Sequence, residues 1–274
     1  CRMLSLKPLF VKLLRVILMT ALAFVLVSCE FKLKSNGDDG RENQAEVLRY
    51  DRLESRYLTT GDFSALQQMN IDYPMETRTL IEDVLCLGEV NDPAINSKFL
   101  KFYQDTILQS IVADAEAQYA NMDDINMQFR KAFKKLGKMC PSLGLPRIYA
   151  QIGALDQSIV VGNNTVGISL DKYLGSDYPL YERYYDETQR ATMKREYIVP
   201  DALCFYLLSV FPLKNHDTCS QYERDIHMGK IMWVVNRVVE RNFFQTKFVR
   251  IVDAKMKECK GLPVAEMLSG KYFE

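Results

Sequence analysis

The sequence lacks the short motifs that mark the common catalytic centres. It holds only two histidines, His216 and His227, and neither is part of the HExxH pattern that turns two imidazoles toward zinc. Neither a GxSxG elbow nor a Walker phosphate loop occurs. Metallopeptidase, serine hydrolase and P-loop nucleotidase activities therefore have no motif to support them, and no cofactor is predicted.

The cysteines give equally little sign of chemistry. None of the seven belongs to a CxxC pair, so neither a thiolate metal site nor a redox motif is indicated. We expect Cys86 and Cys204 to be small buried hydrophobic residues. One disulfide could form in an oxidising compartment, and its candidate members include Cys140, Cys219 and Cys259.

The charge of the chain is unevenly distributed. Its 35 basic and 35 acidic residues cancel. The first 28 residues carry four basic side chains and no acid, so the rest has 31 basic against 35 acidic residues. This mildly acidic body lacks the basic face that displaces counterions from nucleic acid, and we expect no nucleic-acid partner.

A basic and then apolar leader predicts export. The run VILMTALAFVLV after Arg15 is shorter than the roughly 20 residues of a membrane span and suits the core of a signal peptide. It leads into Leu26-Val27-Ser28-Cys29, which resembles the lipobox of bacterial lipoproteins. The resemblance implies that residues 1–28 are removed and that Cys29 carries a lipid that holds the protein at the membrane. A plain secretory signal, or a short anchor helix with a chance cysteine, is the alternative.

The composition changes after the leader. Residues 29–45 are rich in Gly, Asn, Asp and Lys and poor in large apolar side chains, which predicts a flexible tether. Beyond them, apolar residues recur with the periods of helices and strands. We therefore predict one globular domain over residues 46–274.

Helical periodicity dominates this domain. The opening segment EVLRYDRL fits either a strand or a short helix. Helices are predicted over residues 62–69, 74–87, 97–120, 123–137, 186–197, 217–240 and 243–260. The segment that Pro200-Asp201 opens and Pro212 ends is apolar on every side, which is typical of a buried central helix.

Three segments favour β-structure: residues 147–153, 157–162 and 165–170. Gly162-Asn163-Asn164 lies between the last two and predicts a hairpin turn in which Gly and Asn supply positive φ. We expect a small antiparallel sheet. The predicted fold class is α+β, a mainly α-helical domain with this one sheet.

Two carboxylates are candidates for a site. Asp171 ends a predicted strand and Asp201 starts the buried helix, so both could face one cavity together with Tyr173 and Tyr181. They would form a polar pocket or a pair of carboxyls with shifted pKa for acid–base work. The alternatives are structural, because an acid in a first helical turn is favoured by the helix dipole and Asp171 can cap a turn.

Several of these stretches resemble the gliding-motility lipoprotein B (GldB-like) family of Bacteroidetes. They are RYDRLE from Arg49, ISLDKYLG from Ile168, Tyr181, IVPD from Ile198, and Gly229-Lys230. The likeness covers roughly residues 46–235 and lies mostly in 165–235. Measured against this resemblance, the expected difference is the absence of the longer Trp- and Gly-containing C-terminal part of the family.

The resemblance also implies a fold. The family looks related to zincin-like metallopeptidases that have lost their metal motif. Pro200, Asp201 and Cys204 would occupy the positions of the first histidine, the glutamate and the second histidine, which leaves no metal site.

Three hypotheses for function follow. The first is a lipid-anchored envelope protein that binds a protein or peptide partner, with Asp171, Tyr173, Tyr181, Asp201 and Lys230 as candidate pocket or interface residues. The second is a hydrolase that uses Asp171 and Asp201, or a metal site completed by His216 or His227. The third is a structural lipoprotein that uses the tyrosine-rich loop 173–185 to assemble an envelope complex.

Overall fold

A computed structural model of the chain describes residues 45–214 and 217–270. The predicted signal peptide, Cys29, most of the predicted tether and His216 lie outside the described residues. No helix in the described part of the chain has the length and apolarity to cross a membrane.

The described residues are mainly helical. The helices are α1 (Tyr50–Thr60), α2 (Phe63–Asp72), α3 (Pro74–Arg78, continued by a π-helix over Thr79–Val84), α4 (Ile95–Phe102), α5 (Thr106–Gln118), α6 (Asp123–Met139), α7 (Tyr181–Tyr184), α8 (Glu187–Arg190), α9 (Ile198–Val210), α10 (Gln221–Val239), α11 (Lys247–Glu258) and α12 (Val264–Ser269). Short 3-10 turns occupy Leu170–Lys172 and Arg195–Tyr197.

Helix α6 shows why these segments become helices. Its apolar residues, among them Phe129 and Leu136, recur at helical spacing and are buried, while its lysines lie on the opposite face. Asp123 and Asp124 in its first turn and Lys138 in its last turn complement the helix dipole. The prediction for this segment is confirmed.

The predicted helix over residues 97–120 is wrong in one respect, because the chain breaks there into α4 and α5. The Asp105 side chain caps α5 by accepting hydrogen bonds from the N–H groups of Ile107 and Leu108. An aspartate that binds these orphan donors starts a new helix and ends the continuity of the old one. Ile107, in the first turn of α5, is 37% exposed.

The four strands are β1 (Val47–Leu48), β2 (Arg147–Gln151), β3 (Ile159–Gly162) and β4 (Thr165–Ser169), and their order in the sheet is β1-β2-β4-β3. Strand β2 pairs in parallel with both β1 and β4, and only β3 and β4 pair antiparallel. The expected hairpin is present. Its turn uses positive φ at Asn164 but not at Gly162.

The prediction of an antiparallel sheet is therefore wrong, although the α+β class is confirmed. The β3–β4 hairpin places β4 next to β2, so the two strands run in the same direction. Both strands then end at one edge of the sheet, with Gln151 directly opposite Ser169. This parallel pairing brings the segments that follow β2 and β4 together.

The buried central helix is present as α9, which packs against α6, α10, β3 and β4. Leu203 and Leu207 in its middle are fully buried. Cys204 is buried as expected, but Cys86 is exposed at the end of the π-helix with a φ of 51°. The five cysteines in the described part of the chain are free, so no disulfide joins them.

Candidate functional site

A cluster of buried polar groups lies where β2 and β4 end. We call it the strand-end cluster, and its members are Glu54 of α1, Tyr103 after α4, Asp171, Tyr181, and the loop 152–155 that follows β2. Glu54, Tyr103, Asp171 and Tyr181 have no more than traces of exposed surface. Buried carboxylates are costly unless they are hydrogen-bonded, so their partners indicate what the cluster does.

Asp171 holds the loop that follows β2. Its Oδ1 accepts the N–H of Gly153 at 2.8 Å, and its Oδ2 accepts the N–H of Leu155 at 2.5 Å. Burial raises the pKa of the Asp171 carboxyl, and these two N–H groups only partly oppose that effect. Ala154 and Leu155 adopt φ values of 52° and 65°, a conformation that costs energy for residues other than glycine. The carboxylate therefore stabilises a strained loop.

Glu54 binds the same loop from the helical side. Its Oε2 accepts the N–H of Ile152 at 2.8 Å, while its Oε1 has no hydrogen-bond partner within the described residues. Burial raises the pKa of Glu54, and the nearby charge of Asp171 adds to this rise. Two carboxyls that share a buried region disfavour each other's ionisation.

Tyrosine hydroxyls complete the cluster. Tyr103 donates to the carbonyl oxygen of Ile152 at 2.6 Å. Tyr181 donates to the backbone carbonyl oxygen of Asp171 at 2.5 Å and accepts the N–H of Leu174 at 2.9 Å. The tyrosine-rich stretch thus has an internal role at Tyr181, whereas Tyr184 is 60% exposed.

Asp201 has different partners from Asp171. The Tyr173 hydroxyl donates to Asp201 Oδ2 at 3.0 Å, which joins the segment after β4 to the first turn of α9. Burial raises the pKa of Asp201 to about 7, and the Tyr173 hydroxyl opposes this rise. Asp201 is only partly buried, whereas Asp171 is fully buried.

The structure therefore divides the predicted site residues among three places. Asp171 and Tyr181 lie in the strand-end cluster, and Tyr173 and Asp201 form a neighbouring pair. Lys230 lies on α10, where its Nζ donates to the carbonyl oxygen of Gly270 at 2.7 Å. It lines a separate cavity, and neither Asp171 nor Asp201 is among the residues that line that cavity.

The Gly229-Lys230 pair has a packing role beside this contact. A Cβ at Gly229 would lie 2.8 Å from the Cβ of Phe248 and 3.0 Å from its carbonyl carbon. Only glycine lets α10 and α11 approach this closely.

Within residues 45–214 and 217–270, no group of three or more His, Cys, Asp and Glu side chains has an arrangement that could hold a metal ion. On α9, Pro200, Asp201 and Cys204 fall at the spacing of a zincin motif, and Asp201 is the one carboxylate among them.

Glu54 and Tyr103 were not among the predicted site residues. Glu54 was visible only as the end of the RYDRLE stretch, and Tyr103 only as a member of an apolar stripe. Their contacts join residues 98 and 49 positions apart in the chain, which periodicity within one segment does not reveal.

Comparison with known proteins shows the family. Residues 34–261 match the family of gliding motility protein GldB. The chain belongs to this family. Membership of the GldB lipoprotein family indicates membrane association and a place in the cell envelope. No curated protein and no solved structure matches the chain significantly.

The GldB match confirms the resemblance that was drawn from the sequence stretches, and it extends further at both ends. The matched range includes the strand-end cluster, the Tyr173–Asp201 pair and the Gly229-Lys230 step.

Proposed function

We propose that the chain is a lipid-anchored protein of the cell envelope, in a bacterium of the Bacteroidetes, that binds a protein or peptide partner without catalysing a reaction. Its anchor would be lipid on Cys29 after removal of residues 1–28, with residues 29–45 as the tether and 46–274 as the binding domain. The GldB lipoprotein family supports the envelope location.

The observation that supports the binding role is that the Asp171 carboxylate is fully engaged in hydrogen bonds. Both of its oxygens accept backbone N–H groups of the loop 152–155, so the carboxylate shapes the surface at the start of β3. A catalytic carboxylate needs a free oxygen within reach of a substrate proton. The geometry of Asp171 therefore favours a rigid binding surface over acid–base work.

Strand β3 is the element best suited to receive a peptide. It is the last strand of the sheet order, with β4 on one side only. The N–H of Ser169 donates to the carbonyl oxygen of Ser158 at 3.0 Å, and bonded positions alternate along an antiparallel pair. The backbone groups of Ile159 and Val161 accordingly point away from β4.

We propose that an extended segment of the partner adds to β3 as a further strand. Backbone hydrogen bonds would give the affinity, and side chains along the strand would give the selectivity. The zincin-like relation is part of this proposal, because zincins lay substrates along an edge strand beside a central helix. The packing of α9 against β3 and β4 supports it.

The test uses full-length, lipidated protein with a C-terminal tag, captured from native membranes. Val161→Pro removes one outward N–H without removing a bond to β4, and Val161→Thr keeps the N–H and the β-branched shape. We expect a reproducible envelope partner with the parent and Val161→Thr, and its loss with Val161→Pro and with Cys29→Ser. Equal capture by both Val161 variants would contradict strand addition.

A second candidate function is acid–base catalysis at Asp201. It is favoured by the pKa of about 7 at a partly buried carboxyl that accepts a tyrosine hydroxyl. Hydrolysis of an envelope-derived peptide that disappears in Asp201→Asn, while partner capture stays normal, would favour this function over binding.

A further inference from the structure

A cavity lies beside the first half of α10, and the residues of the proposed function do not line it. Its volume is about 270 Å³. It is lined by residues of α10, by residues 212–214 after α9 and by residues 268–270 at the end of α12. An apolar cavity of about 150 Å³ holds benzene, so this one has room for a substituted ring.

His227 supplies an unused polar atom to this cavity. The side chain is 6% exposed, and its Nε2 has no hydrogen-bond partner in the part of the chain that the structure describes. Burial lowers the pKa of His227, while the Phe211 carbonyl oxygen opposes this as a hydrogen-bond acceptor. That acceptor favours the proton on Nδ1, which leaves Nε2 as an acceptor that needs a donor.

Lys230 supplies a positive charge one helical turn away. It is 5% exposed, and the Gly270 carbonyl oxygen holds its Nζ at 2.7 Å. An ammonium has three donors, so a bound anion can share it with this carbonyl and with the further contact that Lys230 makes. Glu223, which also lines the cavity, serves the capping box of α10 with Ser220.

The remaining lining is mixed. Leu213, Ile226 and Leu268 supply apolar surface, the half-exposed Tyr222 adds a ring, and Lys214, Thr218 and Ser269 add polar groups. Apolar walls with a few convergent polar groups are typical of small-molecule sites. The walls suit an apolar or aromatic body, and the two polar side chains suit its substituents.

We infer that this cavity binds a small hydroxylated organic acid. Its acid group is held by the ammonium of Lys230, its hydroxyl donates to Nε2 of His227, and its apolar body packs against Ile226 and Leu268. This site is independent of the edge of β3, so either proposal can fail alone.

The test compares three matched probes on the full chain: 3-hydroxybenzoate, benzoate, which lacks the hydroxyl, and 3-hydroxybenzamide, which lacks the charge. The chain has two histidines, and loss of one imidazole signal in His227→Phe assigns His227 in the NMR spectrum. We expect 3-hydroxybenzoate to shift the His227 signal at the lowest concentration, with each of the other probes about tenfold weaker.

Variants separate the two contacts. Because His227→Phe has no His227 signal, binding to the variants is measured by isothermal titration calorimetry. In His227→Phe, benzoate and 3-hydroxybenzoate should bind equally, and in Lys230→Met the advantage of the charged probe should vanish. Tyr222→Ala, at an exposed position that folding tolerates, should weaken all three probes alike. The inference is overturned if 3-hydroxybenzoate leaves the His227 signal of the parent unchanged, if the three probes bind equally, or if the hydroxyl preference survives in His227→Phe.

Discussion

Replacing Asp201 by asparagine tests how burial acts on its carboxyl. The folded protein holds this proton up to a pKa of about 7, against an ordinary value of 3.8. Between these two values the folded state binds more protons than the unfolded state, so the free energy of unfolding falls as the pH rises. The contribution of Asp201 is fully favourable below pH 4 and fully lost above pH 7.

The size of this loss follows from the shift. A rise from 3.8 to about 7 corresponds to about 4 kcal/mol. Because Asp201 is partly exposed, solvent screening reduces this figure, and we expect about 2 kcal/mol. An asparagine cannot ionise, yet its carbonyl oxygen still accepts the Tyr173 hydroxyl. Asp201→Asn should therefore match the parent at pH 4 and exceed its stability by about 2 kcal/mol at pH 8.

The assay is urea unfolding followed by circular dichroism at pH 4, 5, 6, 7 and 8. Asp156→Asn, at an exposed carboxyl of the β2–β3 loop, is the matched control and should keep the pH dependence of the parent. If Asp201→Asn retains the pH slope of the parent, or is the less stable protein at pH 8, the reasoning about its burial is refuted.

Three further predictions concern the strand-end cluster and its neighbours. Glu54→Gln should keep an acceptor for the buried N–H of Ile152 and stay stable at pH 7, whereas Glu54→Ala should lower the free energy of unfolding in urea by about 1–3 kcal/mol. Equal stability of the two variants would contradict this prediction. Gly153→Ala places a Cβ 2.6 Å from the Oγ of Ser169 and should lower the free energy of unfolding by about 1–3 kcal/mol. Adding Ser169→Ala should restore part of this loss, and additive losses in the double variant would argue against the contact. Tyr173→Phe removes the hydroxyl that opposes the pKa rise at Asp201, so the pH-dependent loss of stability should move to higher pH. An unchanged dependence of stability on pH would contradict the hydrogen bond between Tyr173 and Asp201.

The sequence was sufficient for most of the fold. Apolar spacing predicted α6, the all-round apolar character of residues 202–211 predicted the central helix α9, and the turn at Asn163-Asn164 predicted the β3–β4 hairpin. These features depend on neighbours within one segment. Such local patterns are what helix and strand periodicity report.

The direction of pairing was not accessible in the same way. Whether β4 lies beside β2 or beyond β3 depends on contacts across the whole domain, and strand β1 has only two residues. The wrong sheet concealed the cluster, because only parallel strands place Asp171 next to the loop after Gln151. Phe63 and Met75, at the starts of two short predicted helices, are 62% and 59% exposed, since short helices at a domain surface bury few residues.

We propose that a partner protein binds along β3 while Cys29 holds the domain at the membrane. The most direct measurement places a photo-cross-linking amino acid at position 161 of the full-length protein in native membranes, with position 205 on α9 as an exposed control. We expect one envelope protein to be cross-linked from position 161, none from position 205, and none when Cys29→Ser is added. No adduct from position 161 in a correctly lipidated protein, or the same adduct from both positions, would contradict it.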